Sequence, residues 1–228
     1  MQLFITDDFK IWSDYIIINE DRIIQQLRKV LRAKSWYNFF LQAKTFKWVQ
    51  KRYLCEIVEI KNFVKAKILS VEERQIESTE RGVITSILNK FDKMELIVQK
   101  LTELSIPIIW FVPTQRSKFK EIPQKKLERF NKICLEAVEQ SFWWFLPKIQ
   151  VYSNLEKIKW KKAILNFDGI PASKANWDLD FLIIWPEWGF TDQDIKKISP
   201  DQTIKLGETV LRAETASIVW GYELVRDL

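Results

Sequence analysis

The hydrophobic rhythm of the chain changes once, across residues 71–82. Before that stretch, short apolar or alternating runs at Gln2–Ile5, Tyr15–Ile18, 37–41, 53–60 and 64–71 stand between polar turns and predict β-strands. Residues 21–33 (DRIIQQLRKVLRA) break the pattern. There Ile23, Ile24, Leu27, Val30 and Leu31 recur at helical spacing, with Arg22, Arg28, Lys29 and Arg32 on the opposite face. Residues 71–82 (VEERQIESTERG) carry no periodicity and read as a linker. From Val83 onward strands and helices alternate, which argues an α/β domain with a mainly parallel sheet. Helix 93–104 carries a stripe of Met94, Ile97, Val98, Leu101 and Leu104. Helix 123–141 opens on Pro123, a favoured first residue, and its stripe runs Leu127, Phe130, Ile133, Ala137 and Gln140 or Ser141. Strands are expected at Ile108–Val112, 163–167 and Phe181–Ile184, and Thr191 reads as the N-cap of a short helix.

The last stretch, 204–222 (IKLGETVLRAETASIVWGY), is a short apolar strand, a polar step through Gly207 and a helix that opens at about Ala213. Such a junction presents backbone N–H groups at a helix N-terminus, where a ligand can be held. Residues 182–190 (LIIWPEWGF) form a second strand that enters a Pro/Gly turn.

Composition narrows the chemistry. The 228 residues suffice for one large domain or two small ones. No apolar run approaches the ~20 residues of a membrane helix, and the N-terminus lacks the basic and apolar regions of a signal peptide. Cys55 and Cys134 form no CxxC and are expected as buried thiols in a reducing cytoplasm. With no histidine, Ser-His-Asp and Cys-His catalysis and His-based metal sites drop out, and no metal site is expected. Residues 1–70 hold 13 Lys and Arg against 7 Asp and Glu, while the remainder holds 23 of each. A basic module on a neutral one suggests an RNA-binding appendage.

Three motifs, in order, carry a resemblance that spans roughly residues 16–225. LGETVLRAETA resembles the LGxxILRxETA signature of the ribosomal RNA small subunit methyltransferase E family, and WPEWGF resembles its GPEGGF. KMELIVQKLTEL at 93–104, followed by Thr114-Gln115-Arg116-Ser117, is similar to the family helix and its TERS-like segment. EAVEQS at 136–141 is similar to its EAAEQS. The resemblance implies a C-terminal SPOUT domain with a deep trefoil knot over 83–228, a small N-terminal PUA-like β-barrel over 1–70 and a linker over 71–82. It implies S-adenosylmethionine as cofactor, methylation of N3 of a uridine in 16S ribosomal RNA or the small ribosomal subunit, and a homodimer.

On that resemblance the cofactor lies against Leu165, against Trp185, Pro186, Glu187 and Gly189, and against Leu206, Gly207, Val210, Leu211, Glu214 and Thr215. Arg212 is the candidate to stabilise charge on a uracil oxygen; the general base is open. RNA phosphates fall to Arg28, Lys29, Arg32, Lys34, Arg116 and Lys118, and RNA contact also to Gln140. Two other readings stand beside this one: a SPOUT enzyme with another target, and a non-catalytic RNA-binding or ribosome-assembly protein with a blocked cofactor site.

Eleven tryptophans stand against five glycines. Glycine normally makes up about 7% of residues. Trp185 and Trp188 flank Pro186-Glu187, Trp36 follows Lys34-Ser35 where the family has a GD turn, and Trp220 precedes Gly221 on a helix face expected to be small. The pattern is the one expected of a gene in which UGA encodes glycine, translated with UGA read as tryptophan; a genuinely tryptophan-rich chain is the alternative. Trp110, in an apolar strand, does not fit it.

Overall fold

The computed structural model describes residues 1–45, 48–76, 81–153, 156, 160–186 and 189–226. It divides into two compact units. The first comprises Met1–Ser78 with Val138–Leu146, and the second Thr79–Ala137 with Pro147–Leu228.

The first unit is a six-stranded sheet in the order β1 (Gln2–Ile5), β4 (Asn38–Gln42), β5 (Val49–Ile60), β6 (Val64–Gln75), β3 (Tyr15–Ile18) and β2 (Phe9–Trp12). Only β1 and β4 pair in parallel; the other neighbours are antiparallel. Phe4, Ile16, Ile18, Phe39, Leu41 and Ile57 fill its core beneath Ile23 and Ile24 of helix α1 (Asp21–Gln25). That helix is shorter than the 21–33 expected. It opens into a π-turn over Gln26–Val30, and Leu31 N–H donates five residues back to the Gln26 carbonyl. Arg32 then adopts φ 48° and Ala33 N–H reaches the Leu27 carbonyl at 2.8 Å, a helix-ending left-handed turn. The wider turn swings Val30 off the core face, where it is 73% exposed.

The expected linker is shorter as well. Residues 71–75 continue β6, because Val49–Tyr53 of β5 pairs with them and Lys51 meets Glu73 directly opposite at 2.6 Å. A ladder of backbone hydrogen bonds holds a stretch whose side chains show no apolar alternation. Residues 138–146 also belong to this unit. There Glu139 is held within the unit: its carboxylate accepts from Ile5 N–H at 2.9 Å and, through both oxygens, from Arg22 Nη1 at 3.0 Å. Burial pushes the Glu139 carboxyl above its ordinary value, against the pull of Arg22. Gln140 and Ser141 are exposed where a core stripe was expected, because helix α3 (Gln124–Ser141) ends here and Phe142 turns away at φ 57°.

The second unit is a parallel sheet in the order β12 (Gln202–Lys205), β10 (Lys162–Pro171), β11 (Phe181–Ile184), β7 (Gly82–Ser86), β8 (Ile108–Val112) and β9 (Lys148–Val151). Helix α2 (Phe91–Glu103) packs beside α5 (Ala213–Val225), and α5 also covers β7 and β11. Helix α4 (Asp192–Ile198) starts at Thr191 as expected, with a reciprocal cap: Asp194 N–H donates to the Thr191 hydroxyl and Thr191 N–H to the Asp194 carboxylate. Burial pushes the thiols of Cys55 and Cys134 up to about 12, so both are inert at neutral pH.

The tryptophans fall into different environments. Trp36 sits at φ 77° and is 78% exposed, in a backbone conformation that favours glycine. Trp110 is buried in β8, stacked on Phe181 at 4.4 Å between ring centres and against Tyr152 at 4.3 Å. Trp220 is fully buried in α5, edge-on to Trp177, with its indole N–H unpartnered.

Candidate functional site

The loops that leave the C-terminal ends of β10, β11 and β12 enclose a cleft of about 650 Å3. Parallel sheets hold ligands beyond their strand ends, and the volume falls within the range of small-molecule sites.

The first wall comes from β10. Its pairing with β12 runs to Leu165 opposite Ile204 and resumes with Ile170 opposite the same Ile204, so residues 166–169 bulge out of the ladder. The bulge carries Asn166 and Phe167 to the cleft beside Leu165. A side chain on Gly169 would meet the Ile204 backbone at 2.6 Å, which restricts that position to glycine.

The second wall follows β11 with Ile184, Trp185, Pro186 and Gly189. Gly189 holds φ 73° and its N–H donates to the Pro186 carbonyl at 3.0 Å. Gly189, not Trp185, takes the left-handed conformation in this turn. The Trp185 indole packs 5.3 Å from Phe190, crowds the face of Gly189, and buries its N–H without a partner. Glu187 and Trp188 lie outside the described residues.

The third wall is the junction from Leu206 to α5, including Gly207, Val210, Leu211 and Arg212. These apolar residues are not consumed by the core: Leu206 is half-buried, Leu211 exposed and Val210 81% exposed. Gly207 has an ordinary negative φ, and a Cβ built on it would meet nothing within 4 Å. Neither conformation nor packing requires glycine there; what it leaves is open space in front of the backbone. Arg212 stands at the N-cap position of α5 with its side chain on the cleft. Glu214 stands one residue behind the lining, half-buried beside Lys93, and Thr215 is exposed.

Lys93, at the start of α2, completes the cleft and was not anticipated. Its ammonium lies 3.7 Å from the Glu214 carboxylate. No single motif shows this pair, because its two halves meet only through the packing of α2 on α5. Lys205, also on the wall, pairs with Glu208 at 2.7 Å.

The expected RNA contacts do not join the cleft lining. Arg28, Lys29, Arg32 and Lys34 are exposed on the first unit, with Arg28 donating to the Lys61 carbonyl. Gln140 is exposed in the same unit. In the second unit Arg116 and Lys118 are exposed on the loop after β8. The Arg116 guanidinium comes within 3.9 Å of where a Gly189 side chain would begin. That loop is braced by Thr114 N–H on the Ser117 hydroxyl at 3.0 Å and Gln115 N–H on Asp194 at 3.2 Å.

Residues 77–221 match the model of an RNA methyltransferase domain. The chain is 30% identical over 190 residues to ribosomal RNA small subunit methyltransferase E of Mesomycoplasma hyopneumoniae, covering 77% of this chain and 82% of that relative. Among solved structures, a Legionella pneumophila protein in complex with S-adenosylmethionine superposes with a TM-score of 0.80 at 24% identity, over 97% of this chain and 96% of its own. The Neisseria gonorrhoeae ribosomal RNA small subunit methyltransferase E bound to S-adenosylmethionine gives 0.76 at 22%, over 97% and 95%. At these identities the structures establish the shared fold, while the sequence matches establish descent: the chain belongs to the ribosomal RNA small subunit methyltransferase E family.

Proposed function

We propose that this chain transfers the methyl group of S-adenosylmethionine to N3 of a uridine in 16S ribosomal RNA, acting as a homodimer. The observation that carries the reading is the convergence on one cleft of Leu165, Pro186, Gly189, Leu206, Gly207, Val210, Leu211 and Arg212. The order in which β10 lies between β11 and β12 supports a knotted SPOUT domain, and the basic, β-rich first unit supports a PUA-like RNA-binding module.

The residues fit the cofactor. Leu206, Val210 and Leu211 offer an apolar slot for adenine, and the open face of Gly207 lets the ligand reach the backbone. When bound, the cofactor supplies an activated sulfonium methyl group. The chain's part is to orient the uracil, exclude water and balance charge. Orientation contributes ~7–11 kcal/mol in favourable cases. Arg212 faces the cleft to stabilise negative charge on a uracil oxygen as N3 loses its proton. One observation favours a second reading: the Trp185 indole on the wall would oppose cofactor entry and leave an RNA-binding protein without catalysis.

The test is to incubate the protein with 16S RNA or small subunits and labelled S-adenosylmethionine, then map the product by mass spectrometry. N3-methyluridine is expected. Methylation of another base or of a ribose overturns the assigned target, and RNA binding without methylation favours the second reading.

A further inference from the structure

We propose that Lys93 and Glu214 form the subsite for the amino-acid end of S-adenosylmethionine, Lys93 taking the carboxylate and Glu214 the ammonium. The inference rests on the cofactor assignment above. The adenine end has its apolar slot; the methionine end is a zwitterion, and a zwitterion needs one cation and one anion side by side. Lys93 lines the cleft, and its Nζ stands 3.7 Å from Glu214 Oε2. That separation is beyond hydrogen-bond length, so the two are an open ion pair.

Glu214 Oε2 is buried and has no hydrogen-bond partner, a costly state for a carboxylate oxygen. A cationic donor arriving at this carboxylate would relieve that cost. The side chains are 24% and 12% exposed, so charge-assisted bonds made here are little screened. The other wall cations do not offer this pairing. Lys205 is held by Glu208, which is 87% exposed, and Arg212 stands exposed at the mouth of α5. Lys93 is the wall cation joined to a buried carboxylate.

The experiment titrates the full chain with three probes in a calorimeter: S-adenosylmethionine, its decarboxylated form, and 5′-methylthioadenosine, which lacks the amino-acid end. The same titrations follow for Lys93→Met, Lys93→Arg and Glu214→Gln. Lys93→Met is expected to weaken S-adenosylmethionine binding about ten- to a hundredfold. It should erase the preference over the decarboxylated form and leave 5′-methylthioadenosine unchanged, which also shows that the variant is folded. Lys93→Arg should restore most of the affinity. Glu214→Gln should weaken both probes that carry the ammonium. Equal loss for all three probes would make the pair a structural brace and overturn the proposal, as would no loss at all. If the unaltered chain binds none of them, the cofactor assignment falls and takes this inference with it.

Discussion

Two walls of the same cleft are built on opposite terms. The wall from Leu206 to Arg212 spends apolar side chains on solvent and leaves open space in front of Gly207. The wall from Trp185 to Gly189 fills its space with an indole that packs on Phe190 and leaves its own N–H unpaired. The Leu206 wall is shaped for an occupant; the Trp185 wall partly occupies itself. The same contrast separates Trp36, left-handed and exposed, from Trp110, stacked between Phe181 and Tyr152. A large side chain is at home where neighbours enclose it and out of place where the backbone or a ligand needs room. The division follows the line that a glycine codon read as tryptophan would draw, with Trp36 and Trp185 on one side and Trp110 on the other. Trp220 is buried in α5 as Trp110 is in β8, and the indole N–H of each is unpaired.

The largest effect should come from treating Trp110 as if it were Trp36. Trp110→Gly removes a buried aromatic and is expected to destabilise the fold by about 3–5 kcal/mol in urea unfolding. Gly207→Phe fills the open space of the third wall. It should weaken S-adenosylmethionine binding by about a hundredfold, ~2.7 kcal/mol, with the unfolding midpoint unchanged, since no protein atom lies within 4 Å of the new Cβ. Trp185→Gly empties the second wall and should tighten cofactor binding about tenfold, read by calorimetry. Its cost is lost packing on Phe190, visible as a lower melting temperature. Smallest of all, Trp36→Gly should stabilise by about 1 kcal/mol in the same unfolding experiment by removing a side chain from φ 77°. Peptide masses of the protein made in its own cells sharpen the set: glycine is expected at 36 and 185 and tryptophan at 110.

Much of this geometry was legible beforehand, and what was not has physical reasons. Ile108–Val112 and Phe181–Ile184 are strands over the very residues whose apolar runs announced them, and α5 opens at Ala213. Each is a local signal. Phe9–Trp12 and Lys148–Val151 gave none, because these sheet-edge strands have mostly exposed or half-buried residues and take their hydrogen bonds from neighbours. Asn166 and Phe167 reach the cleft only through a bulge that pairing with Ile204 creates. Lys93 and Glu139 meet their partners through packing between segments far apart in the chain. The signature residues of the third wall were placed by the resemblance of their motif, since apolar character alone suits a core equally well.

The most direct test is a calorimetric titration of S-adenosylmethionine into the chain as it stands, into Trp185→Gly and into Gly207→Phe. The account predicts saturable binding at one site per chain, tightened by the first substitution and weakened about a hundredfold by the second. No heat from either the unaltered chain or Trp185→Gly, or affinity indifferent to Gly207→Phe, would contradict it.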